Sequence, residues 1–410
     1  MLTQEGSPKS LEGAGGLRQR VTSLALLVVI AAVSLLAFAI TVVTGGTGDY
    51  SMYLDQWHAQ AATGNPWPTE HMGEAIAPNA YGPIHAVFGL LFQINWLVPK
   101  LIISGSIVFL FAVLAWDSHR NGVLTWNKLF FGLAILVLSP LVIFTNYVQG
   151  MNDAIPALCI GLACLCRRER WFLLAGLLLG LGALIKFYPL LFAPFLALEK
   201  DRAMRFGLLL VAAATFAAGM ALAMIVWGDA VLSPFTFGVE RGAKGLSLAW
   251  LLEVSVCSSA TSGICAITTG KSVFVLLGFA SLLALYAWAS EMEWELALAI
   301  ALPLVFFAYK VGHNQFLEAW LAVLLFVYFQ PRTVMRSAIV RAAVPLMIFL
   351  SLLKTGYVLT GGLDGGGWNG GWGFVGEYMA LPWALLLAYF IWSLRGHLFR
   401  NRVAMPRLAL

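Results

Sequence analysis

The chain is a succession of apolar runs, many of them close to the roughly 20 residues that cross a hydrocarbon layer, separated by short polar turns. Such runs must satisfy their backbone groups internally, which makes the helix the natural spanning form. Of the 410 residues, 60% are hydrophobic and only 11% are charged, whereas a soluble domain carries about 25% charged residues. The expected class is therefore an all-α polytopic membrane protein. The first run, Val21 to Val43, is longer than the apolar part of a cleaved leader, and no A-x-A pattern follows it, so it reads as a retained span.

Taken in order, the runs predict about 12 transmembrane helices, near 21–43, 97–116, 127–145, 154–166, 206–227, 272–290, 296–309, 315–329, 342–359 and 377–394, with a hairpin of two short helices within 171–198. The 28 residues of that last stretch make about 42 Å of helix, too long for one span and short for two. Residues 1–20 read as a disordered cytoplasmic tail, 21–395 as a single transmembrane domain and 396–410 as a basic cytoplasmic tail. The outer side then holds three long segments: a first loop at 44–96, a second at 228–270 and a Gly-rich loop at 360–376. Of 25 Lys and Arg residues, seven fall on outer segments (Lys100, Lys186, Arg241, Lys244, Lys271, Lys310 and Lys354) and the other 18 fall inside. That bias favours cytoplasmic termini. The net charge of +5 is thus a topology signal; the basic residues do not cluster on a soluble face, and no nucleic-acid partner is expected. Cys159, Cys164 and Cys166 lie in or beside an apolar run, where cysteine behaves as a small hydrophobe. Cys257 and Cys265 bracket CSSATSGIC in the second outer loop and are expected to form a disulfide.

The longest polar interruption runs from Gly48 to His85, and spanning a membrane does not require it. It carries Asp49, Asp55, His58, Glu70, His71, Glu74 and His85 together with four prolines. Asp49 stands a few residues beyond the first span, so its depth is set by that helix; it reads either as a helix-capping aspartate or as a general base. Asp153, at the start of the 154–166 helix, reads equally as an N-cap. Lys186, between GALI and FYP, is either a snorkelling lysine or an anion ligand at a helix break. Lys310, His313 and Gln315 form another polar knot, and Glu318 follows one turn into the next helix. One carboxylate among several cations suits a single chemistry: the carboxylate takes a proton from an attacking hydroxyl, and the cations stabilise a departing phosphate.

Several stretches resemble a known group. GDYSMYLDQWHAQAATGNPW…YGPIHAVFGLLF is similar to the first loop of the GT-C membrane glycosyltransferases, and in particular of the polyprenol-phosphate-mannose mannosyltransferases, which include the enzyme adding the first mannose of GPI anchors. SPLVIFTNYVQGMNDAIPALCIGLACL resembles that group's third and fourth spans, GLLLGLGALIKFYPLLFAPFLAL a lysine–aromatic–proline segment, and FAYKVGHNQFLEAWLAVLL a later segment. Together they cover roughly 20–200 and 300–330.

The resemblance implies a GT-C fold and an inverting hexosyltransferase that moves a sugar, mannose by the nearest likeness, from a polyprenyl-phosphate donor to a lipid or glycan acceptor on the extracytoplasmic face. Asp49 occupies the position of the acid–base residue. Lys186 and Tyr188, with Lys310 and His313, are the expected donor-phosphate ligands, and Asp55, Tyr81, His85, Asn152, Asp153 and Gln315 are the expected substrate contacts. Many members carry Asp-x-Asp where this chain has Thr47-Gly48-Asp49; no cofactor is expected, and the need for a divalent metal stays open. The implied setting is a prokaryotic plasma membrane, or else the endoplasmic reticulum, with the oligomeric state open. A transporter or flippase of lipid-linked sugar is the competing class. It would show internal repeats and midplane charges, whereas the charges here cluster at the outer boundary.

Overall fold

The computed structural model describes residues 9–68, 70–71, 74–257, 263–360 and 378–398. Apart from two short strand pairings, Glu70–His71 with Glu74–Ala75 and Lys244–Gly245 with Val311–Gly312, the described residues form helices and their connections. By length and composition six segments qualify as spans: Thr22–Thr44, Val98–Arg120, Trp126–Val148, Arg202–Glu240, Ser272–Ala289 and Val334–Leu359. Shorter apolar helices, Pro83–Ile94, Phe172–Ala183, Trp294–Ala308 and Asn314–Phe329, pack among them. The chain is an all-α polytopic membrane protein.

We label α1 Lys9–Thr44, α2 Asp49–Thr63, α3 Pro83–Ile94 and α4 Val98–Arg120. The interrupted span Trp126–Val148 is α5, and Ala154–Arg168 and Phe172–Ala183 are α6 and α7. The next helices are α8 Arg202–Trp227, α9 Ser233–Glu240, α10 Leu248–Ser255, α11 Gly263–Gly270 and α12 Ser272–Ala289. Last come α13 Trp294–Ala308, α14 Glu318–Phe329, α15 Val334–Leu359 and α16 Ala380–Leu398.

The core runs along α14, whose residues are almost all buried. Gly161 and Gly132 let α6 and α5 approach their neighbours: a Cβ on Gly161 would lie 2.6 Å from Leu110, and one on Gly132 2.6 Å from Phe329. Trp320 donates to the carbonyl of Ala299 at 2.8 Å and ties α14 to α13. Leu24, Leu27, Val28 and Leu35 of α1 face outward, as do Phe206, Leu210 and Leu222 of α8; these are the lipid-facing surfaces. One end of the bundle collects ion pairs: Arg168 with Asp117 at 2.7 Å, Arg336 with Glu295 at 2.7 Å and Arg167 with Glu199 at 3.2 Å. The other end carries the cavity described below.

Three expectations change. Helix α1 begins at Lys9, inside the stretch read as a disordered tail: the helix nucleated by the span propagates through Gly13, Gly15 and Gly16, although glycine disfavours it. The stretch 171–198 is not a pair of similar helices: α7 ends at Ala183, and the return consists of a 3₁₀ turn, Tyr188–Phe192, and the four-residue helix Ala193–Leu196. Pro189 and Pro194 lack the N–H groups that a continuous α-helical ladder needs. Segment 228–270 is largely helical rather than a loop. By length and composition six of the described helices qualify as spans, and the shorter apolar helices packed among them complete the all-α polytopic bundle that was expected. The Gly-rich segment 361–377 and the tail 399–410 lie outside the described residues.

Candidate active site

Asp49 is the first residue of α2, one tight turn after α1 ends. That turn is laid on the end of α5. Thr44 Oγ1 donates to the Tyr147 carbonyl at 2.9 Å, Thr47 Oγ1 to the Val148 carbonyl at 2.9 Å, and the Tyr50 amide to the Gln149 carbonyl at 3.0 Å. From α4, the Lys100 ammonium donates to the Gly45 carbonyl at 2.6 Å and to Thr44 Oγ1 at 2.9 Å. Gly48 has φ +62°, and a Cβ there would sit 2.8 Å from Gln149 Cγ, so both conformation and space call for glycine. Three spans therefore hold one carboxylate.

Asp49 borders a cavity of about 1100 Å³. On the same face of α2, Met52, Tyr53 and Gln56 follow at helical spacing and line the same space. Asp55 does not: six positions on, it lies on the opposite side of the helix and is exposed. Burial raises the Asp49 carboxyl above its usual range, against the opposing fields of Lys354, Lys186 and Arg241. Among the described residues no hydrogen bond or ion pair occupies its oxygens.

Lys186 reaches the cavity from the turn after α7. That turn is fixed to the first loop by two backbone bonds, Gly82 N to Ile185 O at 2.9 Å and Ile84 N to Leu184 O at 3.0 Å. Its ammonium pairs with Asp153 at 2.5 Å and stands 5.0 Å from the Tyr81 ring centre and 5.1 Å from that of Phe316. Asp153 is fully buried, and its second oxygen has no partner among the described residues. Asp153 stands at the N-cap position of α6 but makes no side-chain cap bond; its carboxylate is instead the counter-ion of Lys186. Tyr188 and Tyr81 line the cavity, and the Tyr188 hydroxyl has no partner among the described residues. Tyr53 donates to the Tyr81 hydroxyl at 2.7 Å.

His85 and Asn152 lie beneath this surface. The His85 ring is fully buried against Tyr53, Trp57 and Tyr81, and its Nδ1 is 3.2 Å from the Asn152 amide. Burial lowers its pKa to about 3, so it stays neutral. Both residues support the wall and do not line it.

The third side of the cavity comes from residues 241–246 and 309–316. The Lys244 amide donates to the Lys310 carbonyl at 2.9 Å, and the Leu246 amide to the Gly312 carbonyl at 2.7 Å. His313 lines the cavity and accepts from Arg241 Nη2 at 2.8 Å through Nε2. A guanidinium only donates, so Nε2 is the unprotonated nitrogen. Burial, and then the Arg241 charge, pull the His313 pKa well down. Gln315 also lines the space. Lys310, expected on the donor phosphate, is turned away: its ammonium donates to the Val239 carbonyl at 2.6 Å, satisfying a free carbonyl near the end of α9. Arg241, Lys244 and Lys354 take their place at the cavity. In the sequence they stand only as outer-side charges, and nothing local shows that they converge. Among the described residues no three His, Cys, Asp or Glu side chains form a metal-holding group.

The profile of glycosyltransferase family 87 matches residues 79–307, more than half of the chain. The chain belongs to glycosyltransferase family 87. It is a multi-pass membrane glycosyltransferase, which sets the transporter reading aside. No curated protein matches the chain. The family-87 match holds Lys186, Tyr188, Arg241 and Lys244; Asp49 lies before it, and His313 and Lys354 after it.

Proposed function

We propose that this family-87 enzyme transfers a hexose, mannose in the first instance, from a polyprenyl-phosphate sugar to a lipid or glycan acceptor on the extracytoplasmic face of the membrane, inverting the anomeric carbon. The supporting observation is the mixed lining of the cavity. It brings together Asp49, Lys186, Arg241 and Lys244 with the apolar side chains of Phe187, Leu191, Phe216, Phe235, Leu276 and Phe306, and Phe187 stacks on Phe235 and meets Phe216 edge-on. A phosphate joined to a long hydrocarbon tail matches both kinds of lining at once.

In the proposed step the acceptor oxygen attacks the anomeric carbon from the face opposite the phosphate. Its proton passes to Asp49, and the bond from the anomeric carbon to the phosphate oxygen breaks with its electron pair. The leaving polyprenyl phosphate gains one negative charge, which Lys186, Arg241 and Lys244 stabilise. Tyr188 and His313 orient the donor head, and Tyr81 and Gln315 line the sugar position. The unpaired state of Asp49 fits a base, since nothing must be displaced before it accepts a proton. Asp153 assists indirectly, by holding Lys186.

The test is an assay with labelled polyprenyl-phosphate sugars and membrane lipid extract, with the product read by mass spectrometry. Transfer from polyprenyl-phosphomannose is expected, and Asp49→Asn should lower turnover on the order of a hundredfold or more while donor binding survives. Near-normal turnover in folded Asp49→Asn protein would remove Asp49 as the base, and transfer only from nucleotide sugars would remove the donor class.

A further inference from the structure

The cavity contains one cation to which the step above gives no task. Lys354 enters near the end of α15 and is 2% exposed. Its ammonium donates to Gln149 Oε1 at 2.5 Å and stands 5.3 Å from the Tyr357 ring centre. Among the described residues no carboxylate forms an ion pair with it. A buried ammonium whose partner is a neutral amide is costly, so its retention at this depth points to a charge that it serves across the cavity. Asp49 is the first such charge and Glu318 the second; of the charged groups acting on the Asp49 carboxylate, Lys354 is the strongest, followed by Lys186, Asp153 and Arg241. The remaining titratable groups facing Asp49 are the hydroxyls of Tyr53, Tyr81 and Tyr357.

Gln149 adds a mechanical link. Its carbonyl receives the Tyr50 amide at 3.0 Å, and its side chain lies against Gly48, where even a methyl group would meet it at 2.8 Å. The amide that Lys354 grips is therefore packed on the two peptides flanking Asp49. Turning the Gln149 side chain would press on Gly48 and displace the carboxylate.

We infer that Lys354 is a positioning residue for Asp49: by gripping Gln149 it locks the Gly48–Tyr50 turn, and its charge favours the proton-accepting form of the carboxylate. The inference rests on Asp49 being the base. Removing the positive charge destabilises the carboxylate relative to the acid. The acid limb of kcat/KM against pH therefore moves to higher pH.

The experiment is that profile, measured with labelled polyprenyl-phosphomannose and membrane lipid extract, for the native enzyme, Lys354→Met, Lys354→Arg and Gln149→Glu, with thermal unfolding in detergent as a folding check. Lys354→Met should move the acid limb up by about half a pH unit or more, and Lys354→Arg should bring it back toward the native position. Gln149→Glu, which pairs with Lys354 and cancels its field, should move the limb the same way and keeps the test decisive if Lys354→Met does not fold. An unmoved limb in Lys354→Met, or in Gln149→Glu where Lys354→Met does not fold, overturns the inference. Asp49→Asn separates the two claims. If it is inactive while the limb stays put in the other variants, only the role of Lys354 falls; if it is active, the base assignment falls first.

Discussion

A carboxylate walled in by tyrosines and apolar side chains holds its proton more tightly than one in water, and Asp49 is in that state. The group must be ionised to work as a base. Activity is therefore complete above its raised pKa and is lost as the pH falls through it. The acid limb of kcat/KM should lie clearly above the value of about 3.9 for a free aspartate, and a limb at that value would show that the site is open to water. The Lys186–Asp153 pair leads to a different test. Breaking a buried pair from one side leaves an uncompensated charge, so Lys186→Met should cost about 3–5 kcal/mol of stability. Lys186→Met combined with Asp153→Asn should recover most of that in thermal unfolding but should still bind donor weakly; full recovery of donor affinity would take Lys186 off the phosphate. Asp49 and Lys186 were legible in the sequence because each interrupts an apolar run where charge is expensive. Arg241, Lys244 and Lys354 were legible only as charges on the outer side. Their direction depends on contacts between segments about 65 to 200 residues apart, such as Lys244 with Val311 and Lys354 with Gln149.

At the scale of elements, the short parallel pairing of 244–245 with 311–312 decides whether Arg241 and Lys244 face the cavity. Gly312 is its closest point: a Cβ there would lie 2.4 Å from the carbonyl carbon of Leu246, against backbone that cannot step aside. Gly312→Ala should cost about 1–3 kcal/mol and should raise the donor KM more than it lowers kcat, because Arg241 and Lys244, the proposed phosphate ligands, ride on the displaced segment. Equal loss in both would mean that the pairing serves folding alone. The spans themselves were largely readable: α4, α8, α12 and α14 lie close to the apolar runs that announced them. The return arm after Lys186 and the helices within 228–270 were not. Apolar periodicity is faint where both faces of a helix are buried, and short helices such as α9 and α10 are stabilised by packing rather than by their own propensity.

For the whole molecule, the family match, the apolar helices and the polar loop point the same way, and the sequence alone carried the fold class. Its orientation has a direct check in cysteine chemistry. Cys257 is disulfide-bonded, whereas Cys159, Cys164 and Cys166 are free and buried; the side chain of Cys265, the expected partner, lies outside the described residues. If residues 228–270 lie on the outer face, as the charge bias predicts, an impermeant maleimide applied to intact cells should label Cys257 only after reduction. Labelling without reductant would contradict the bond, and labelling only after lysis would contradict the orientation. The three-span grip on the turn before Asp49 also bears on how the enzyme sits in lipid. A bilayer that thins or thickens tilts individual helices to match its hydrocarbon depth. The peptide carrying Asp49 is fastened to α1, α4 and α5 together, so no single helix can change its tilt and carry the carboxylate with it. The depth of the Asp49 carboxylate is thereby uncoupled from the lipid composition of the membrane around it.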